Sequence, residues 1–127
     1  MHEITARMRA VERAVATSPG APDWRGELAD RIAELRAAFR ADLGRSMRNA
    51  EATAAPAPWL STRLTMLRRE QARIADDFDS LVEACAELEV ETLRRHVFAL
   101  LSRLARSRQL DVNLLYESVD IDLGGEQ

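Results

Sequence analysis

The sequence predicts an all-α protein, an antiparallel up-down-up-down four-helix bundle, on three observations. Four separate stretches carry apolar residues in steps of three and four, the spacing of one helix face. The segments between them are short, the first two broken by proline, and short connections join antiparallel neighbours. No stretch alternates apolar and polar residues over strand length between turn signals.

Helix one is expected over about residues 3–17, with Ile4, Met8, Val11 and Val15 on one face. Ser18-Pro19-Gly20-Ala21-Pro22 stops it, because proline has no amide hydrogen to donate and glycine tolerates the turn. Asp23 is the expected N-cap of helix two, its carboxylate accepting an orphan backbone N–H. Helix two then runs to about residue 51 on the stripe Leu28, Ile32, Leu35, Phe39. Pro56 and Pro58 break the chain, and helix three is expected from about Trp59 to Ala86. Its stripe is Leu60, Leu64, Leu67, Ile74, Phe78, Leu81 and Cys85. Helix four is expected from about Glu89 to Ser118, on Leu93, Val97, Leu100, Leu104 and Leu114. An acidic tail over 119–127 would pack Ile121 and Leu123 back onto the bundle.

Composition narrows the class. The chain has 127 residues, enough for a single domain, with 46% apolar and 31% charged residues and a formal net charge of −3. No basic concentration points to nucleic acid, and no apolar run is long enough to span a bilayer. All 18 basic residues are arginine. A single cysteine leaves no partner for an intramolecular disulfide, and the start lacks a charged-then-apolar secretory pattern. The expectation is a cytoplasmic helical domain.

Three helices carry polar residues where the stripe points inward. Gln71 fills the gap between Leu67 and Ile74. Ser107 and Asp111 lie between Leu104 and Leu114, and Asp42 and Ser46 continue the line from Phe39. Buried polar groups need partners. The expected layer is therefore bonded among its own members, to water, or to Arg45 or Arg108. In a bundle core such a pattern marks a site or the remains of one.

The same stretches carry a resemblance. "PWLSTRLTMLRREQARI" resembles a segment of hemerythrin-like (HHE cation-binding) domains, in which a proline opens the helix and an "LRxEH" step presents a metal-binding histidine. "LLSRLARSRQLDVNLLYESVDIDLGG" is similar to the last helix of bacterial members, where a histidine and a glutamate four residues later precede a "LLYEA…DIGG" ending. The likeness covers roughly residues 24–125. It implies an antiparallel four-helix bundle, which in that family holds a non-haem di-iron centre through histidines and bridging carboxylates.

The chain departs from the pattern at every ligand position. Gln71 stands for the histidine after "LRRE", and Ser107 and Asp111 for the histidine and glutamate of the last helix. The helix-two pair maps to Asp42 and Ser46; a register on Arg40 and Gly44 breaks the stripe. Iron sites of this kind rely on imidazoles, whereas carboxylates suit Mg²⁺ or Ca²⁺. His2 sits at a helix end and His96 one position off the stripe. The expectation is five vestigial positions (Asp42, Ser46, Gln71, Ser107, Asp111), no metal and no cofactor.

Other groups read as structural. Cys85 closes an apolar stripe. Glu70 and the acidic run Asp76, Asp77 and Asp79 form a solvated face without a base beside them. Arg94, Arg95, Arg103, Arg106 and Arg108 make helix four basic outside, either offset by helix-three acids or free for a partner. The terminal Gly-Gly-Glu-Gln is similar to the end of the prokaryotic ubiquitin-like modifier, but the same glycine pair belongs to the hemerythrin-like ending. With no nucleophile–base or ligand constellation, an enzyme is not expected. Two classes remain: a non-catalytic interaction or accessory protein with a protein partner or a second copy, or a metal- or diatomic-gas-binding module with unrecognised ligands.

Overall fold

Proline lies in the breaks after the first and second helices, whereas the break over 85–89 holds neither proline nor glycine. The computed structural model describes residues 2–52 and 58–125, with side chains described over 3–45 and 58–114. It holds four helices, α1 (His2–Ala16), α2 (Trp24–Ala52), α3 (Pro58–Ala84) and α4 (Val90–Gly125), and no strand among the described residues. Each lies within two residues of its expected start. No helix among the described residues is long and apolar enough to cross a membrane.

Two local expectations are corrected. Asp23 does occupy the cap position of α2, since its carbonyl accepts the Glu27 amide at 2.9 Å. It does so at φ 58°, a left-handed conformation that aspartate tolerates better than most residues. None of the hydrogen bonds of the described residues runs from a helix amide to its carboxylate, which lies instead over Gly26. A Cβ added at Gly26 would meet Asp23 Oδ1 at 2.3 Å. Asp23 is exposed, so its carboxylate can swing away, while the helix loses the entropic cost of a glycine. Gly26→Ala is therefore expected to stabilise the fold by about 0.5 kcal/mol, read from the denaturant midpoint. A loss of about 1 kcal/mol would show that the carboxylate works as a cap after all.

The second correction concerns α4, which does not end near Ser118 but continues to Gly125. No proline or glycine lies between Glu89 and Gly124, so nothing in the backbone stops the helix earlier. The side chains of Ile121 and Leu123, expected to fold back, lie outside the described residues. At the other end Glu89 accepts the Glu91 and Thr92 amides, each at 3.2 Å. These bonds hold its carboxyl below the usual range.

Packing follows the stripes. α1 lies against α2 and α4, and α3 against α2 and α4, so that the four helices close a ring. Ile4, Val11, Val15, Leu28, Ile32, Leu35, Ile74, Phe78, Leu93 and Val97 lie in one buried cluster, and Met8 packs against its edge. Phe39 and Phe78 meet with ring centroids 5.6 Å apart. Cys85 is buried in the same cluster, where desolvation pushes its thiol up and leaves it a poor nucleophile.

Two arginines lock the helix ends. Arg25 Nη1 donates to the Cys85 and Leu88 carbonyls at 2.9 and 2.6 Å, tying α2 to the turn after α3. Arg94 donates to the Val15 and Thr17 carbonyls at the end of α1 and stacks over Trp24, its guanidinium carbon 5.7 Å from the ring centroid. Arg94 therefore serves the bundle rather than the open basic exterior it was assigned to.

Candidate functional site

The polar positions interrupt the core. A second, smaller apolar cluster of Leu60, Leu67 and Leu114 lies apart from the main one. Along α3, Gln71 sits between Leu67 of the small cluster and Ile74 of the large one. Along α4, Ser107 and Asp111 sit between Leu104 and Leu114 in the same way. The polar layer separates the two.

The structure brings four of the five predicted positions together. Asp42, Gln71, Ser107 and Asp111 line one small cavity with Ile4, Phe39, Leu43, Leu104 and Arg108. Its volume is about 20 Å³, room for about one water molecule. Ser46, the fifth position, lies outside the described side chains. The register on Arg40 and Gly44 is not the one that faces the core, because Arg40 turns outward and binds Asp79 at 2.9 Å.

The groups in this layer differ in burial and charge. Ser107 is 3% exposed, whereas Asp42, Gln71 and Asp111 are half-buried. Asp42 pairs with Arg45 at 3.3 Å, one turn along its own helix. The Asp111 carboxyl is raised above its ordinary range, first by burial and then by the negative charge of Asp42; Arg108 pulls it partly back. No hydrogen bond joins Asp42, Gln71, Ser107 and Asp111 to one another among the bonds of the described residues. Of the alternatives expected for this layer, the arginine one is met at Asp42 through Arg45, while the two acids repel across the small cavity and Arg108 offsets part of that at Asp111. No buried side-chain nitrogen or oxygen among the described residues lacks a hydrogen-bond partner.

The donor set does not fit a di-iron centre. It offers two carboxylates, an amide and a hydroxyl with no imidazole, around space for one small species rather than two metal ions. No three His, Cys, Asp or Glu side chains among the described residues group closely enough to hold a metal. His96 is exposed beside the stripe and borders a groove with Asp77 and Leu88. The His2 side chain lies outside the described residues.

The charged residues resolve into inter-helix pairs. Arg103 binds Glu70 at 3.0 Å and also Asp77, joining α4 to α3. Asp79 binds Arg36 and Arg40 of α2 at 3.1 and 2.9 Å. Glu70, Asp77 and Asp79 therefore hold neighbouring helices together. Sequence reasoning missed Arg25 and the Arg36–Asp79 pairing. Their partners come from distant parts of the chain, and a helical wheel marks such residues only as outward-facing.

Sequence reasoning also missed an apolar groove between α3 and α4, of about 650 Å³, on the outer side of the polar layer. Met66 and Leu110, 64% and 47% exposed, line it with Leu67 and Leu114. The signal available was that Met66 and Leu110 are apolar but off their stripes.

No family model matches this chain, and neither a curated protein nor a solved structure gives a match.

Proposed function

We propose that this chain is a non-catalytic interaction or accessory protein built on a hemerythrin-like, antiparallel up-down-up-down bundle whose metal positions are vestigial. The convergence of Asp42, Gln71, Ser107 and Asp111 on one cavity, with no imidazole among them, carries the reading. These are the positions at which the resembling family places its ligands, and the side chains there cannot assemble its iron chemistry.

The antiparallel order is supported by contacts whose numbers run in opposite directions. Ala14 meets Trp24 while Arg7 meets Glu34, and Cys85 meets Arg25 while Asp79 meets Arg40. Glu70 meets Arg103, and Leu60 packs with Leu114. In these three helix pairs the numbers descend on one helix as they ascend on the next, which supports the antiparallel reading. The exposed groove with Met66 and Leu110 supports an interaction role, since a contiguous exposed apolar surface marks a binding surface more often than scattered residues do.

Protein purified from iron-replete cells is expected to contain no stoichiometric iron and to show no oxo-bridge charge-transfer absorption. Stoichiometric iron with that absorption would overturn the proposal in favour of the metal- or gas-binding class. The measurement is an absorption spectrum with elemental analysis of the same sample.

A further inference from the structure

The groove between α3 and α4 combines an apolar floor with a basic rim. Met66, Leu67, Leu110 and Leu114 form the floor. Five arginines border it (Arg63, Arg69, Arg73, Arg103, Arg106), against one carboxylate, Glu70. Glu70 is itself taken by Arg103 and Arg73, at 3.0 and 3.9 Å. Arg69 and Arg106 are exposed and make no hydrogen bond or ion pair among the described residues. Such a surface attracts an acidic segment and offers apolar area for it to cover.

The chain carries the complementary segment itself. Beyond Arg108 it has no basic residue, and residues 115–127 contain Glu117, Asp120, Asp122 and Glu126 among Val119, Ile121 and Leu123. Leu114 packs with Leu60 in the first turn of α3, and α4 continues from there to Gly125. Over 115–125 the segment extends the same helix that walls the groove, so that stretch cannot turn back onto the groove of its own chain. Only another molecule can present it there.

We propose, building on the interaction reading above, that the arginine-rimmed groove of one copy receives the acidic C-terminal segment of a second copy, making a homodimer. Each copy offers one groove and one acidic segment on α4, so a two-fold arrangement satisfies both at once and closes the assembly.

Sedimentation velocity of the full chain tests this, at about 10–200 µM protein and about 50 mM salt. The expected result is a dimer whose dissociation constant weakens at least about tenfold in about 0.5 M salt. Arg106→Glu alone and Asp120→Arg alone should each weaken the dimer about tenfold or more. Combined in one chain, the two reversals should restore association. Circular dichroism of each variant verifies that the helices are intact, and the restored double variant rules out misfolding as the cause. A monomer across the whole range, or a dimer indifferent to both single reversals, overturns the proposal. Because iron content is measured separately, a metal-free monomer refutes the dimer alone, whereas iron-oxo absorption refutes the interaction reading beneath it.

Discussion

Phe78→Ala is expected to destabilise the fold by about 3–5 kcal/mol. Phe78 is 1% exposed, sits mid-helix on the α3 stripe and packs its ring against Phe39 of α2. Removing the ring takes away its transfer free energy and leaves a cavity between two helices. Ile74, one turn away, is fully buried and already packed, so it has little freedom to fill the gap. The check is urea denaturation of wild type and variant, with the midpoint falling and the slope unchanged. A loss below about 1.5 kcal/mol, the range of a well-tolerated hydrophobic swap, would mean that the helices close over the site and that the core is looser than its burial indicates.

Phe78 also illustrates how much a linear pattern can carry. Its neighbours Ile74, Leu81 and Cys85 fall on one face at steps of three and four, and every one is buried. Periodicity reads burial well because the same 3.6-residue geometry sets both. The pattern also located the interruptions: Gln71, Ser107 and Asp111 were legible as a layer because they break apolar runs, and they do share a cavity with Asp42. What the pattern could not supply was pairing. Asp79 and Arg36 are 43 positions apart and both simply face outward on their own helices; only packing brings them to 3.1 Å.

Helix ends were harder to read for a different reason. Asp23 has the residue type of a cap, but the choice between a carboxylate and a carbonyl cap depends on φ at one residue, and 58° there turns the side chain away from the amides. The extent of α4 depended on the absence of breakers up to Gly124, which is visible in the sequence, weighed against an acidic tail composition that points the other way. The outer groove was legible only as two apolar residues off their stripes, since a groove is formed by two helices together and neither sequence stretch alone contains it.

Replacing Asp111 and Gln71 together by Leu is expected to stabilise the protein by about 1–4 kcal/mol at neutral pH. The two positions lie on apolar stripes, border a cavity of about 20 Å³, and share no hydrogen bond that the change would break. The gain comes from two sources, apolar area buried where polar atoms now sit and removal of a carboxylate that faces Asp42. The second source depends on pH. Because the folded Asp111 carboxyl lies above its ordinary value of 3.8, the folded chain holds that proton more tightly than the unfolded chain does. Below the ordinary value both states are protonated and Asp111 costs nothing. As pH rises from there through the raised folded value the penalty develops, and above it the penalty is complete. The advantage of the double variant over wild type should therefore narrow as pH falls through that window, and Asp111→Asn alone should reproduce the narrowing without the full gain. Denaturant midpoints at several pH values, with and without millimolar Mg²⁺, decide the matter. A double variant less stable than wild type at neutral pH would mean that the layer is bonded into the fold. Stabilisation of wild type by Mg²⁺ that vanishes in the variant would return a cation to Asp42 and Asp111.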